Sequence, residues 1–412
     1  MGLEDCSREE LATLVREYMM AGHMIDRAGM PHVMAEFGQD AFGPVAIEEW
    51  MGASPVYTKR MQRALGFEGD SVETIFKGMQ FDIGAPPQFL DFRFRLDDHD
   101  HGEFWLDHCG ALADVEPMGE PFVVTMCHDI EDPTFDATAI ATNARAQVRP
   151  VHRPPRVPAD RSPVCHWTVV ISDHHEPLPV PREASAILET RAASIELSAI
   201  DPTEPGLSDY RGPLLSDIRH EDWSRSALVR IAEEICLEGH LLALSFLAAL
   251  ERRVDRAQAV QFGRRQFTGA AGLAADRLRV ALGLDQSLDA VAKVIALHPA
   301  FLPNQYVSCE VDLSDRLMVR FDADCPAVAD GGWLSMLDVD HPEPLNAIVR
   351  AVDPRFRCEA FAGGDGVTFE VVMDDVAAPI AGDVELARIS TGAQFVFKDR
   401  GTPVTLRTNA SA

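Results

Sequence analysis

The sequence predicts an α+β protein with two pseudo-repeated domains, each built from helices packed on an antiparallel sheet. Three observations predict this class. Helical periodicity opens each half of the chain, strand-like alternation follows the helices in each half, and one ordered set of short blocks occurs twice. The predicted boundaries are a first domain over residues 1–180, a linker over 181–220, a second domain over 221–380, and a C-terminal hairpin and tail over 381–412.

The first domain begins with helices and continues with strands. Ser7 and Glu10 form a capping pattern ahead of apolar residues at helical spacing, which predicts a helix over 7–21. Alternating phenylalanines and arginines predict a strand over 89–96. The other elements expected here are helices over 44–65, 71–80, 120–129 and 133–142, and strands over 102–115, 146–152 and 164–172.

The second domain repeats that order after a linker rich in proline and arginine. Its first helix, over 222–253, has the clearest apolar face of the chain. A terminal hairpin is expected over 384–398. The remaining elements are helices over 257–282, 288–297 and 343–352, and strands over 306–313, 316–322, 355–361 and 367–374.

The repeated blocks indicate an internal duplication. Cysteine, arginine and strand blocks recur in the same order with offsets of 216, 210 and 202 residues, which drift only where loops can differ in length. The matching blocks are Cys109-Gly-Ala-Leu112 with Cys325-Pro-Ala-Val328, Asn143-Ala-Arg145 with Asp353-Pro-Arg355, and Thr168-Val-Val-Ile171 with Glu370-Val-Val-Met373.

Only the first copy carries histidines beside its cysteines, which predicts one working site and one structural partner. Imidazole, thiolate and carboxylate groups are the usual ligands of zinc and iron, so a zinc or iron site is expected in the first half. The spacing matches no compact metal motif. The candidate ligands are His108, His128, His166, Cys109, Cys127 and Cys165.

Strand geometry should select one member of each doublet, because neighbouring side chains of a strand point to opposite faces. The second copy keeps Cys325 among apolar residues and without a histidine, which suits a core role for the cysteine position. We therefore expect the histidines to face the site, with Cys127 as the thiolate. The alternative is that the cysteines pack as small buried hydrophobes.

The leading functional hypothesis is a metal-dependent hydrolase of a small molecule. Asp132 and Asp129 are the carboxylates expected beside the metal, and Glu49 of the second helix is a candidate general base for a metal-bound water. Two alternatives stay open. One is a non-catalytic sensor of a small molecule or metal, and the other is a non-haem iron oxidoreductase.

The composition limits which classes of partner are expected. The net charge of -28 would repel phosphate backbones and anionic membrane surfaces, so neither nucleic acid nor membrane is expected as a partner. No export signal or membrane-spanning run is visible, which predicts a soluble cytoplasmic protein whose eight cysteines are not a disulfide framework. A small-molecule substrate is the expected partner, and self-association into a homo-oligomer is left open.

The blocks of the first copy resemble the L-2-amino-thiazoline-4-carboxylic acid hydrolase-like family, which is similar to vinyl-reductase-type ligand-binding domains. The resemblance spans about residues 30–175, with an echo over 226–375. It implies a ligand pocket between helices and an antiparallel sheet, and hydrolysis of a small cyclic substrate at a carbon–nitrogen bond. The matching blocks are Cys109-Gly-Ala-Leu112, Cys127 to Asp132, Arg145 to Arg149, and Cys165-His-Trp-Thr168, where His166 and Trp167 depart from the family's Cys-Asp-Phe-Arg.

Overall fold

The chain folds into two four-stranded antiparallel sheets with helices packed against each of them. The structure is a computed structural model and describes residues 2–363 and 366–389. Helices precede the strands in both halves, so the predicted α+β class is confirmed.

The helices fall into two similar series. A π-helical turn, Thr125–Ile130, joins the fifth helix to the sixth. Within the described ranges, no helix is long and apolar enough to cross a membrane. The first half contains α1 Arg8–Phe37, α2 Phe42–Ala64, α3 Val72–Met79, α4 Gly110–Val115, α5 Glu120–Val124, α6 Glu131–Ile140, α7 Arg182–Leu188 and α8 Arg191–Ser194. The second half contains α9 Arg225–Glu251, α10 Arg256–Ala281, α11 Leu288–Ala296, α12 Pro326–Ala329, α13 Glu343–Val352 and α14 Gly382–Ile389.

The two sheets share one strand order. The strands of the first sheet are β1 Leu90–Leu96, β2 His101–Cys109, β3 Ala146–His152 and β4 Cys165–Ile171. Those of the second are β5 Cys309–Leu313, β6 Leu317–Asp322, β7 Phe356–Gly363 and β8 Gly366–Met373. The orders β1-β2-β4-β3 and β5-β6-β8-β7 are the same topology, as a duplicated unit requires.

Individual hydrogen bonds repeat as well. The Val148 amide donates to Asp136 Oδ1 at 2.9 Å, and the Cys358 amide donates to Asn346 Oδ1 at 2.9 Å. Each bond ties a strand to the helix that precedes it. The two bonds are 210 residues apart, the offset that separates the repeated arginines of the sequence.

The long helices of the two halves are interleaved. The first helix of each half packs on the second helix of the other, α1 on α10 and α9 on α2, and α1 also packs on α9. Matching ion pairs join these helices, with Arg60 Nε 2.9 Å from a Glu234 carboxylate oxygen and Arg277 Nε 2.7 Å from one of Glu17. The main hydrophobic cluster contains residues of both halves, so they share one core.

Helix α2 passes close to α9 at Gly52. A Cβ atom on Gly52 would lie 2.1 Å from Ser245 Oγ, well inside van der Waals contact. The Ser245 hydroxyl donates to the backbone oxygen of Glu48 at 3.2 Å, which holds it at this crossing. Close approach of the two helices therefore requires glycine at this position.

Replacing Gly52 by alanine is expected to lower the free energy of unfolding by about 1 to 3 kcal/mol, because the added methyl group overpacks the crossing. Denaturant unfolding measures the change. Removing the clashing oxygen in the Gly52→Ala/Ser245→Ala double variant should make the glycine substitution less damaging than it is alone. Equal damage in both backgrounds would contradict the proposed clash.

The first sheet presents an aromatic inner face and a polar outer face. Phe104 pairs with Trp167 in the register of β2 and β4, and both side chains are 0% exposed. The neighbouring pair, Trp105 with His166, lies on the opposite face. There His166 Nε2 is 2.8 Å from a Glu103 carboxylate oxygen. This alternation decides which residues of β4 can reach the space beneath the sheet.

Two predicted elements of the first half differ from the structure. Helix α1 runs to Phe37 rather than ending near residue 21, because the later residues are buried on most sides and lose the amphipathic signal. The predicted strand over 102–115 ends at Cys109, since a helix follows at once. Cys109 Sγ accepts a hydrogen bond from the Leu112 amide at 3.3 Å and caps that helix, α4.

The linker and the C-terminal segment also differ from expectation. Residues 181–220 include the short helices α7 and α8, and the Tyr210 side chain of this segment is buried against Phe67 and Phe81. The predicted hairpin over 384–398 is wrong at its start, because that part lies in α14, which packs on α10. The rest of the hairpin and the tail lie outside the described residues.

Candidate functional site

A cavity of about 130 Å³ lies in the first half between the helices and the sheet. Helices α1 and α2 form one wall, strands β1 and β2 form another, and α6 with the π-helical turn closes a third side. A cavity of this size suits one small organic molecule, since an engineered cavity of about 150 Å³ binds benzene. Much of its surface is apolar, including Phe42, Trp50, Leu90, Phe92, Leu106 and Phe135.

His23 on α1 presents a hydrogen-bond acceptor to this cavity. Its Nδ1 lies 3.2 Å from the backbone oxygen of Ile83, and a carbonyl oxygen can only accept, so Nδ1 carries the proton. Burial lowers the pKa of His23 well below its ordinary value, and the nearby Arg27 cation lowers it further. The neutral ring therefore leaves Nε2 as an unprotonated acceptor.

Asp26 follows three residues later and lines the same wall. Its Oδ2 accepts a hydrogen bond from Trp50 Nε1 at 3.2 Å, which links α1 to α2. Burial raises the pKa of Asp26, although Arg27 and the Trp50 hydrogen bond oppose that rise. The side chain is thus a carboxyl group held in a mostly apolar surrounding.

Asp82 forms a second buried carboxyl group, placed just after α3. The Tyr57 hydroxyl donates to Asp82 Oδ1 at 2.7 Å, and the Gly84 amide donates to the same oxygen at 2.6 Å. Burial raises the pKa of Asp82 to about 6, against the effect of these two hydrogen bonds. The group therefore titrates close to neutral pH.

Glu131 supplies a third carboxyl group, from the first turn of α6. Burial raises the pKa of Glu131 to about 8, while Arg153 lowers it and Asp132 raises it. At neutral pH Glu131 is largely protonated and can donate as well as accept a hydrogen bond.

Arg27 is the one arginine or lysine among the residues lining this cavity, and it is paired. Its Nη1 contacts Asp114 Oδ2 of α4, and its guanidinium lies 4.7 Å from the centre of the Phe89 ring. Burial raises the pKa of Asp114 to about 6, whereas Arg27 lowers it. The cation is therefore matched by Asp114, an acid outside the cavity.

Four polar atoms of this cavity have no hydrogen-bond partner among the residues that the structure describes. They are His23 Nε2, Asp26 Oδ1, Ser54 Oγ and Glu131 Oε2. His23 is 6% exposed and Ser54 is 1% exposed, so bulk solvent does not satisfy them. Buried polar groups in native proteins are nearly always hydrogen-bonded, and four unpaired atoms around one space call for an occupant.

The second half holds only a remnant of this space, about 20 Å³. That volume accommodates about one water molecule. The polar groups of the first cavity are also missing from the lining of the remnant. Ala271, Ala274 and His298 line it at the positions that correspond to Ser54, Tyr57 and Asp82. The histidine corresponding to His23 is His240, whose Nε2 is bonded to the Leu302 oxygen at 2.8 Å. The polar cavity therefore belongs to the first half alone.

The sequence-based site did not include His23, Asp26, Tyr57 or Asp82, although the repeat contained a signal for them. Gly22-His23 and Gly239-His240 recur 217 residues apart, as do the helix-capping serines of α1 and α9. Aligning the helices on this pair would have shown Asp26 replaced by Ala243. Asp26 and Arg27, which correspond to Ala243 and Leu244, both line the cavity.

The inner members of the strand doublets are the cysteines, so the expectation that the histidines face the site is wrong. Cys165 is buried on the inner face of β4, while His166 lies outside against Glu103. On β2 the pairing with β1 shifts register near its end, so that Cys109 lines the cavity and His108 does not. Aromatic and aliphatic neighbours fill the inner face, which favours the smaller, less polar thiol there.

The third doublet lies on the π-helical turn. Cys127 is buried, and His128 Nε2 is 2.7 Å from the backbone oxygen of Pro154, away from the cavity. Burial raises the pKa of the Cys109 thiol to about 12, with a further rise from Glu131, and burial and Glu131 likewise raise those of Cys127 and Cys165. The three thiols thus surround one carboxyl group as protonated core residues.

The six predicted ligands do not form a common site in this structure. Cysteines occupy the inner side of the sheet and the histidines lie elsewhere, and in residues 2–363 and 366–389 no three His, Cys, Asp or Glu side chains are placed to hold a metal ion. A zinc or iron cofactor stays a prediction.

The predicted catalytic acids are also separated. Asp132 is paired with Arg153, and Asp129 is exposed. Glu49 is 0% exposed and contacts Gln266, its counterpart in the second half, whose Nε2 is 3.5 Å from Glu49 Oε1. None of the three lines the cavity, although Glu49 is near enough to Asp26 for their charges to interact.

Comparison with known protein families, with curated proteins and with solved structures finds no match for this chain. The resemblance to the thiazoline-carboxylate hydrolase-like family stays a prediction. The resemblance implies a ligand pocket between the helices and the sheet, and the cavity lies between these two layers.

Proposed function

We propose that this protein binds a small organic molecule in the first-half cavity and that the second half is a structural partner. The observation that carries the proposal is that four of the residues lining one mostly apolar space each have a buried polar atom without a hydrogen-bond partner in the described structure. Binding sites for small molecules combine such an apolar lining with a few polar groups that fix orientation. This function corresponds to the sensor alternative rather than to the metal-dependent hydrolase.

Filling the cavity tests the proposal. Ala111 lines the cavity, whereas Ala327, its counterpart on α12, does not border the remnant cavity and is 1% exposed. Ala111→Leu should therefore abolish binding of fragments detected by ligand-observed NMR, with little loss of stability. Ala327→Leu should retain binding but lose about 1 to 3 kcal/mol of stability, because it overpacks a filled core. Unchanged binding in Ala111→Leu would exclude this cavity as the site.

Removal of metal ions distinguishes this proposal from the hydrolase hypothesis. The groups lining the cavity can bind an organic molecule without an ion, so dialysis against a strong chelator is expected to leave fragment affinity unchanged within about twofold. Elemental analysis before and after dialysis verifies the removal. Loss of affinity after dialysis, restored by zinc or iron, would favour the metal-dependent function instead.

A further inference from the structure

We infer that the molecule bound in the first-half cavity carries a protonated nitrogen, such as an amine or amidine, on a compact apolar body. This inference rests on the proposed function and names the class of ligand. Its first support is the set of unpaired atoms. His23 Nε2 and Asp26 Oδ1 are acceptors, and Ser54 Oγ and Glu131 Oε2 can accept. A protonated amine offers three donors and no acceptor, which complements such a set.

Charge around the cavity supports the same class. Asp26, Asp82 and Glu131 line it, and Glu49 of α2 lies behind Asp26. The opposing cations are already engaged, Arg27 by Asp114 and Arg153 by Asp132. A buried carboxylate without a counter-ion is unfavourable, so these groups take up protons in the empty site and can exchange them for a bound cation. An anionic ligand would instead add to the excess of acids.

The apolar lining and the volume of the cavity limit the polarity and size of the part of the ligand that does not carry the nitrogen. Trp50 donates a hydrogen bond to Asp26 through its indole nitrogen, and Phe92 and Leu106 of the sheet and Phe135 of α6 line the other walls. Aromatic faces also favour a cation near them. A volume of about 130 Å³ admits one ring or a short branched chain with one nitrogen, and not an extended polyamine.

Three size-matched probes test the class of ligand: cyclopentylamine, cyclopentanol and cyclopentanecarboxylate. Calorimetry at pH 8 is expected to show the amine bound at least about tenfold more tightly than the alcohol, as hydrogen bonds to charged groups are the stronger ones. The carboxylate should bind least. Because lining carboxyl groups exchange protons for the cation, titrations in two buffers should show proton release with the amine alone.

The variant Asp26→Asn retains the size of the side chain and removes its charge. It should weaken the amine about tenfold or more and change the alcohol less than about twofold. Asp107→Asn alters an exposed acid of β2 and should change neither. Should Asp26→Asn fail to fold by circular dichroism, Glu131→Gln replaces it, with loss of proton release as the expected result.

The pH dependence follows from the groups that face the amine. Burial raises the pKa values of Glu131 to about 8 and of Asp82 to about 6, so these groups lose protons as pH rises from 6 to 8. Amine affinity should then increase by up to about tenfold per pH unit for each proton released. His23 has no proton to lose at Nε2, and Arg27 and Arg153 stay charged.

The outcomes separate the inference from the proposed function. Equal or tighter binding of the alcohol or the carboxylate, abolished by Ala111→Leu, would overturn the inference and leave the cavity as a binding site. Amine affinity that is unchanged in Asp26→Asn and independent of pH would also overturn it. Binding of none of the three probes would overturn both.

Discussion

Replacing Arg27 by methionine is expected to lower the free energy of unfolding by about 3 to 5 kcal/mol, because it leaves the buried Asp114 carboxyl without its counter-ion. The two side chains are 9% and 10% exposed. Burial already raises the pKa of Asp114 to about 6, and Arg27 is the main group that opposes this rise. Without the cation, the carboxyl group must stay charged at high energy or take up a proton. Urea unfolding at pH 7.5 measures the change.

A double variant distinguishes loss of the ion pair from loss of packing. Arg27→Met/Asp114→Leu replaces both charges by apolar groups of similar size, which is often neutral or stabilising for a buried pair. It should recover most of the stability lost in Arg27→Met. For comparison, Arg95→Met removes a half-exposed guanidinium that pairs with Asp97 and Glu103 on the outer face and should change stability by less than about 1 kcal/mol. A double variant as unstable as the single one would show that the aliphatic stem and its stacking on Phe89 dominate.

The sequence was sufficient for the class of fold because its local signals agree with each other. Capping at Ser7 marks the start of α1, the apolar face over 222–253 marks α9, and alternation along 89–96 marks β1. Elements of the second half were placed within a few residues of their observed bounds. Local propensity and hydrophobic period are short-range properties, so one sequence can reveal them.

The interleaved packing of the long helices could not be predicted from local sequence signals. Pairing of Arg60 with Glu234 and of Arg277 with Glu17 joins residues 174 and 260 positions apart. Helical periodicity identifies the buried face of each helix but not which helix covers it. Two halves that the sequence predicts as separate domains therefore share one core.

The six predicted ligands do not come together, because a high density of ligand-type residues in the sequence does not place their side chains at one point in the fold. His166 and Cys165 are adjacent in sequence but lie on opposite faces of β4, and a register shift near Cys109 reverses the faces at the end of β2. His23, Asp26 and Asp82 come from a helix and a loop that meet only in the fold. The one sequence signal for them was the comparison of α1 with α9, where equivalent positions differ in charge.

Replacing Glu49 by glutamine is expected to stabilise the protein at pH 8 and to have little effect near pH 4. Burial raises the pKa of Glu49 well above its ordinary value of 4.5, and the Asp26 charge raises it further, while the hydrogen bond from Gln266 opposes this. Between pH 4.5 and its raised pKa, the folded state therefore retains a proton that the unfolded chain has lost. In that window stability falls with rising pH by up to about 1.4 kcal/mol per pH unit.

Glu48, in the same helix, is a matched control whose pKa is shifted in the opposite direction. Burial favours its neutral form, but hydrogen bonds from Arg253 at 2.8 Å and Arg252 at 3.0 Å outweigh burial and hold its pKa below 4.5. Its contribution to stability is therefore present above pH 4.5 and is lost as pH falls through its lowered pKa. Glu48→Gln should destabilise the protein at pH 8, where Glu49→Gln stabilises it.

Both substitutions make the same chemical change, one residue apart on α2. A difference between their effects on stability therefore reflects the electrostatic surroundings of the two side chains. Glu49→Gln also places an amide opposite Gln266, its counterpart in the second half, so that the two halves become alike at this contact. Urea unfolding of both variants and the parent at pH 5, 6.5 and 8 measures how each carboxyl group makes the free energy of unfolding depend on pH. If Glu49→Gln destabilises the protein at pH 8, as Glu48→Gln is expected to do, Glu49 is not held as a buried neutral acid.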